Sequence, residues 1–102
     1  MLIHSVYFWL KNDVTDRKKD AFVDGLKSLA GISTVDRLHI GTAASTEQRP
    51  VVDNSFDYAL IIELADPAAQ EIYQGDPIHL QFAEDFKDLW TKVLVHDTET
   101  VD

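Results

Sequence analysis

The stretch Leu2–Leu10 constrains the fold more than any other, because almost every residue in it is β-branched, aromatic or long aliphatic. This composition predicts a β-strand, whose alternate side chains point to opposite faces of a sheet. Val6 and Phe8 share one face, and Tyr7 and Trp9 share the other. A sheet with one solvated face should instead alternate apolar with polar residues. The strand therefore needs cover on both faces, from its own helices and, we expect, from a second copy of the chain.

The remaining elements follow in the order β-α-β-β-α-α-β. Helices are predicted from Thr15 to about Ala30 and over 66–73 and 77–92, and strands over 35–42, 57–65 and 93–98. This order predicts an α+β, ferredoxin-like fold with a four-stranded antiparallel sheet and helices on one face. No repeat or linker indicates a second domain, so 1–102 is interpreted as one domain. The long polar segment 43–55 is either mobile or a lid over a site.

Charge and composition argue against several classes of function. The net charge of −9 disfavours binding to nucleic acid or to an anionic membrane surface. No apolar run approaches the roughly 20 residues that span a bilayer, and no signal peptide is evident, so we expect a cytoplasmic protein. The absence of cysteine excludes disulfides and thiolate sites. The four histidines lack metal-binding spacings, so neither a metal nor a cofactor is expected.

A histidine near a predicted helix start is the leading candidate for chemistry. Asp76 and Pro77 form a helix-start signal, which makes His79 the third residue of the helix. Helical spacing places it on one face with Phe82, Phe86 and Trp90. Burial and the positive helix end both disfavour the imidazolium, so a neutral proton acceptor is predicted. The alternative is a packed histidine bonded to one carbonyl.

The predicted fold encloses a pocket between sheet and helices, the usual form of a small-molecule site. Its candidate catalytic residues are His79, Tyr73, His4 and Tyr58. Its predicted apolar lining is Val6, Phe8, Phe22, Leu26, Leu60, Ile62, Phe82, Phe86 and Trp90. His79 would remove a proton beside a carbonyl, Tyr73 would hold His79 or the developing enolate oxygen, and His4 or Tyr58 would position the carbonyl. Alternatively, the tyrosines are core aromatics and His4 is a hydrogen-bonded strand residue.

The chain resembles the stress-responsive dimeric α/β-barrel (Dabb) family in the order and spacing of several segments. They are Leu2-Ile3-His4-Ser5-Val6, Leu29, Gly41, Asp57 to Glu63, Tyr73…Pro77-x-His79 and Asp97. The resemblance implies a homodimer joined through the sheet face that bears Tyr7 and Trp9, with one pocket in each subunit.

The resemblance also implies an olivetolic acid cyclase-like fold. In that cyclase, a histidine matching His79 is the base for an aldol closure, a tyrosine matching Tyr73 assists, and a histidine matching His4 lies in the same pocket. Two positions differ from the cyclase: Tyr58 replaces a histidine of strand three, and Leu26 replaces a pocket tyrosine of the first helix. Asp76 replaces the histidine that usually precedes the proline in the family. This chain therefore has fewer of the polar pocket residues.

Three functions are consistent with the sequence. The first is a stress-responsive dimer of unassigned role that binds a small apolar molecule. The second is a cyclase, isomerase or lyase that acts on a polyketide-like or β-dicarbonyl substrate with His79 as the base. The third is a cofactor-free monooxygenase or haem-handling enzyme, which rests on fold analogy alone. The residues leave open whether the chain is an enzyme.

Overall fold

A computed structural model describes residues 1–101 of the chain. The strands are β1 (Leu2–Leu10), β2 (Arg37–Gly41), β3 (Tyr58–Leu64) and β4 (Trp90–Glu99), and the helices are α1 (Asp16–Ser28), α2 (Pro67–Gly75) and α3 (Pro77–Phe86). The strands form one sheet in the order β2-β3-β1-β4, and every neighbouring pair is antiparallel. The predicted α+β, ferredoxin-like fold is confirmed.

The central strand β1 sets the geometry of the site. It pairs on one side with β3 and on the other with β4, so that His4 lies opposite both Ile62 and Asp97. Directly opposed residues of antiparallel strands have Cβ atoms about 4.5–5.5 Å apart. The three side chains therefore stand in a row across the helix-facing side of the sheet.

The two faces of β1 differ in how the chain covers them. Leu2, His4, Val6, Phe8 and Leu10 are buried beneath the helices, whereas Ile3, Ser5, Tyr7 and Trp9 are half-buried. Phe22 packs edge-on against Phe8, with ring centroids 5.1 Å apart. Full burial of such a side chain stabilises the fold by about 1.5–3 kcal/mol. The helices therefore cover one face, whereas the face of Tyr7 and Trp9, called here the open sheet face, has no helix over it and is partly covered by Phe56.

Capping residues define where the helices start. The Asp66 carboxylate accepts from Ala69 N at 2.8 Å, and Asp76 accepts from Ile78 N at 2.8 Å, each followed by a proline. Such caps satisfy backbone N–H groups that have no partner within the helix. Because α2 ends at Gly75 and α3 begins two residues later, the first turn of α3 lies close to the end of α2, and His79 Nδ1 is 3.1 Å from the Gln74 carbonyl oxygen.

The last helix is shorter than predicted, and the prediction that it reaches about residue 92 is wrong. The helix ends at Phe86, a 3₁₀ turn covers Lys87–Leu89, and Trp90 already pairs with Leu10 in the sheet. Lys11 N also donates to Leu89 O at 2.9 Å, which holds this backbone at the sheet edge. Strand pairing therefore outweighs the helical pattern from this point on.

The polar segment 43–55 contains neither helix nor strand. Trp9 Nε1 donates to Ser55 Oγ at 3.0 Å, and Ser55 in turn donates to Asp53. These bonds join the end of the segment to the face of the sheet that lacks helices.

None of the helices in residues 1–101 has the length and apolar character needed to cross a membrane.

Candidate functional site

A cavity of about 190 Å³ lies between the sheet and helices α2 and α3. Its lining is His4, Val6, Phe8, Leu60, Tyr73, Gln74, His79, Phe82, Ala83, Trp90, Val93 and Val95. The walls are mostly apolar, and two imidazoles and one phenol supply the ionisable groups. A cavity with a few convergent polar groups in apolar walls is the usual form of a small-molecule site.

His4 is held by a carboxylate across the sheet. Its Nδ1 lies 2.6 Å from Asp97 Oδ1, and its side chain is only 3% exposed, whereas that of Asp97 is 45% exposed. A carboxylate accepts hydrogen bonds, so His4 Nδ1 carries the proton and Nε2 keeps the basic lone pair. A carboxylate in this position fixes the tautomer and stabilises the imidazolium that forms when Nε2 takes a proton.

A second polar group on α2 reaches the same nitrogen. Gln70 Nε2 lies 3.2 Å from His4 Nδ1. The other amide atom of Gln70, Oε1, is buried and has no hydrogen-bond partner among the described residues. A 180° turn exchanges the two amide atoms, and the hydrogen-bond network decides between the orientations. Because Nδ1 donates to Asp97, the orientation that presents Oε1 gives the Nδ1–H a second acceptor.

Tyr73 lies between the two histidines. Its ring centroid is 5.5 Å from that of His4 and 4.9 Å from that of His79. Burial raises the pKa of Tyr73 well above its ordinary value, and it is the only cause of the shift. The hydroxyl is therefore protonated at neutral pH and can donate a hydrogen bond to an oxygen atom in the cavity.

His79 is neutral at pH 7. Burial lowers its pKa, and the nearby His4 lowers it further, whereas the hydrogen bond to Gln74 and the Asp76 carboxylate act in the opposite direction. His79 Nδ1 lies 3.1 Å from the Gln74 carbonyl oxygen. The neutral ring donates from Nδ1 to that carbonyl, which leaves Nε2 as its basic nitrogen.

The structure brings together three of the four predicted catalytic residues. His4, Tyr73 and His79 all line the cavity, and Tyr58 does not. Tyr58 instead packs against Phe22, with ring centroids 5.5 Å apart. In the sheet Tyr58 is paired with Phe8, which is four residues from His4 on β1. Tyr58 is therefore displaced from His4 by about 13 Å along the strand direction.

The predicted apolar lining divides into two groups. Val6, Phe8, Leu60, Phe82 and Trp90 line the cavity. Phe22, Leu26 and Ile62 are completely buried in the core outside the cavity lining, and Phe86 borders a groove between α1 and α3. The sequence pattern identifies which side chains face inward, but inward-facing residues fill the core as well as the cavity.

Asp97 and Gln70 contact His4 but were absent from the sequence-based site. On the helix-facing side of β4, Asp97 follows the apolar Val93 and Val95, and this change from apolar to acidic is a visible signal. Its meaning depends on the register of β4 against β1, which the sequence does not supply. Gln70 lies three residues before Tyr73 and therefore on the same side of α2, but only the docking of the helix shows that it reaches His4.

No group of three or more His, Asp or Glu side chains in residues 1–101 is arranged to hold a metal ion. The polar groups of the site are a carboxylate, two imidazoles, a phenol and the side-chain amides of Gln70 and Gln74. Together these groups can accept, donate and relay protons.

The sheet order, the helical layer on one face and the cavity between them define a ferredoxin-like α+β domain. The chain belongs to the stress responsive A/B barrel (Dabb) family, whose model matches residues 2–100. The resemblance seen in the sequence is thereby confirmed. None of the curated proteins compared with the chain is similar enough to count as a relative.

Solved structures share this fold over nearly the whole chain. A Dabb family protein from Mesorhizobium loti is 26% identical, with a TM-score of 0.79 over 99% of this chain and 97% of that one. A dimeric ferredoxin-like protein of unknown function from Thermobifida fusca is 16% identical, with a TM-score of 0.79 over 97% and 90%. The hydroxynitrile lyase from Passiflora edulis is 20% identical, with a TM-score of 0.77 over 99% and 96%.

Proposed function

We propose that this Dabb protein binds a small molecule in the cavity and transfers a proton next to a carbonyl group, as a cyclase or lyase does. The observation that carries the proposal is the buried His4 ring, held by Asp97 at 2.6 Å in a cavity that also contains Tyr73. An imidazole whose Nδ1–H is bound to a carboxylate is a prepared general base. A cavity that only binds apolar molecules does not require one.

The geometry suggests a role for each group. His4 Nε2 takes the proton from the carbon next to the carbonyl, and the C–H electron pair becomes the enolate, with its charge on oxygen. Tyr73 donates a hydrogen bond to that oxygen, and the Asp97 carboxylate stabilises the imidazolium. The proton then returns to carbon or oxygen of the product. A correctly placed base of this kind contributes about 10²- to 10⁴-fold in rate, which suits an activated substrate such as a β-keto compound.

A second assignment makes His79 the base, as the sequence predicts. Its Nε2 also lacks a proton, and its lowered pKa keeps the ring neutral at pH 7. We favour His4 because a carboxylate orients it, whereas His79 is oriented by a backbone carbonyl, which stabilises an imidazolium less. In the non-enzymatic alternative, the rings of His4, Tyr73 and His79 only bind the ligand. The third alternative, a cofactor-free monooxygenase, stays a prediction from fold analogy.

One of the structures that share this fold is a lyase, which is compatible with the proposed chemistry. A hydroxynitrile lyase among the similar structures indicates that this fold can house lyase chemistry. At 20% identity that likeness extends to the fold alone. The proposal for this chain therefore depends on its own residues in the cavity.

We also propose that the protein is a homodimer joined through the open sheet face. Tyr7 and Trp9 on β1 and Leu94 on β4 lie on this face, and Leu94 is 38% exposed. Large apolar side chains that stay partly exposed on a sheet face are characteristic of interfaces. The similar structure from Thermobifida fusca is described as dimeric.

Exchange of hydrogen for deuterium tests the proposed chemistry directly. The purified protein is added to a β-keto ester in D₂O, and loss of the α-C–H signal is followed by NMR. We expect the His4→Ala variant to lose at least tenfold of the protein-dependent rate, and the His79→Ala variant to lose less. A larger loss in His79→Ala would transfer the role of base to His79, and equal rates with and without protein would overturn the proposal.

A further inference from the structure

Among residues 1–101, the cavity lining contains no group that can carry a full positive charge at neutral pH without an adjacent negative one. Within the described residues, its lining includes neither lysine nor arginine. The His4–Asp97 pair is a neutral ring beside a carboxylate or, after proton uptake, an ion pair. In neither state does the pair have a net positive charge.

The other ionisable groups in the lining are neutral as well. Burial raises the pKa of Tyr73 and lowers that of His79, so that the phenol keeps its proton and the imidazole lacks the extra one at pH 7. An anionic group that enters the cavity therefore loses its hydration and meets no compensating cation. Burial of an unpaired charge is among the most unfavourable events in a protein interior.

The volume of the cavity limits the size of the ligand. At about 190 Å³ the cavity is smaller than the usual pocket for a drug-sized molecule, which is about 300–1,000 Å³. An apolar cavity of about 150 Å³ is known to hold benzene. One substituted six-membered ring, or an aliphatic compound of the same size, therefore fits.

We propose that this site accepts uncharged carbonyl compounds no larger than a benzene ring with one short substituent, and that it rejects carboxylates of the same size. This inference rests on the proposed function, because it specifies the substrate class of the same cavity. It also separates two types of reaction: cleavage or isomerisation of a small neutral compound fits the cavity, whereas closure of a long folded polyketide chain requires more space.

A matched pair of ligands tests the inference. Acetophenone and benzoate have similar shapes, and only benzoate is charged at pH 7. Binding is measured from ligand-induced shifts of the His4 and His79 ring signals in NMR titrations. We expect acetophenone to bind at least tenfold more tightly than benzoate.

A charge-introducing variant sharpens the test. Val95 lines the cavity and is 46% exposed, so a lysine at this position can extend to the opening without being buried in the core. Val95→Lys should raise the affinity for benzoate relative to that for acetophenone by about tenfold, because only benzoate can pair with the added charge. Leu80→Lys adds the same charge at an exposed position of α3 outside the cavity lining and should change neither affinity.

The outcomes distinguish the two proposals. Equal binding of the two ligands, or tighter binding of benzoate, would overturn the charge selectivity while leaving the cavity as a binding site. Absence of binding by acetophenone would overturn the inference. In that case, catalysed deuterium exchange into a β-keto ester would show that the proposed proton transfer still holds, and absence of exchange would overturn that proposal too. Benzoate binding that tightens equally in Val95→Lys and Leu80→Lys would indicate an effect of overall charge, and would also contradict the inference.

Discussion

Asp97 Oδ1 lies 2.6 Å from Nδ1 of His4, although the two residues are separated by almost the whole chain. The contact exists because β1 and β4 are antiparallel neighbours and their register places the two residues opposite each other. A partly exposed carboxylate therefore orients a buried imidazole that lines the cavity. The combination of a solvated acid with a buried base is the central feature of the site.

Asp97→Asn should separate the chemical role of this pair from its structural role. Asparagine can still accept the hydrogen bond, but it lacks the charge that stabilises a protonated His4. We expect the deuterium-exchange rate to fall at least tenfold and the free energy of unfolding to fall by about 1 kcal/mol. Glu99→Gln makes the same charge change on an exposed residue of the same strand and should affect neither. A loss of stability without a loss of rate would limit the pair to a structural role.

Tyr73→Phe should reduce the exchange rate with little effect on stability. The change removes only the hydroxyl, and in the described residues burial alone shifts its pKa, without a contribution from a hydrogen bond. We expect the free energy of unfolding, measured by denaturant titration, to change by less than about 1 kcal/mol, and the rate to fall about tenfold or more. Tyr58→Phe provides the matched control, because Tyr58 lies outside the cavity lining. An equal loss of rate in both variants would contradict the assignment.

His79 should make the protein more sensitive to acid. Burial lowers its pKa below the ordinary value of 6.5, so the unfolded chain binds this proton more readily than the folded chain. The contribution of His79 to stability is present above pH 6.5 and is lost as the pH falls through the lower pKa of the folded state. His79→Gln should therefore lose less thermal stability between pH 7 and pH 5 than the unchanged protein. His39→Gln alters an exposed histidine on the opposite face and should give no such protection.

Gly25→Ala should destabilise the helical layer. A Cβ atom at Gly25 would overlap the ring of Phe86, which packs directly against the α1 backbone. Overpacking of this kind costs about 1–3 kcal/mol, which outweighs the gain in helix propensity of about 1 kcal/mol. Gly75→Ala should cause no such loss, because no atom of the described residues, apart from its chain neighbours and its own helix backbone, lies within 4 Å of the added Cβ. Denaturant unfolding measures the difference, and Phe86→Leu added to Gly25→Ala should recover part of it.

Trp9→Glu should abolish the proposed dimer. The side chain lies on the open sheet face, and a carboxylate buried at this position would lack a partner in a symmetric interface. Light scattering after size-exclusion chromatography should show monomers, or the variant should precipitate. Leu80→Glu makes a comparable change at a residue that is 56% exposed on α3 and should leave the dimer intact. A stable dimer of the Trp9→Glu variant would show that the interface lies elsewhere.

Most of the fold could be predicted because its signals are local. The local signals are the β-branched and aromatic residues of Leu2–Leu10 and the helix starts at Asp66-Pro67 and Asp76-Pro77, and the order of the elements follows from them. The error at the end of α3 shows the limit of this reasoning. Phe82, Phe86 and Trp90 have helical spacing, but the backbone of Trp90 gains a partner in β1 by leaving the helix.

For the candidate site, the sequence predicts which side chains point inward but not which of them lie close together. His4, Tyr73 and His79 were identified as inward-facing polar residues, and the structure places all three in the cavity. Tyr58 meets the same criterion but lies several residues along the strand from the others. The direction of a side chain follows from local periodicity, whereas its position along the sheet depends on register.

The sequence by itself determined the class of fold, the two-sided apolar character of the first strand and the acidic, cysteine-free composition, because each follows from residue types and their spacing along the chain. Only the tertiary structure decided that Asp97 and Gln70 reach His4, that the Tyr73 ring packs against two imidazoles, and that the cavity lining formed by residues 1–101 includes no lysine or arginine. These relations arise from strand register and helix docking, which join residues distant in the chain and leave no local pattern in the sequence.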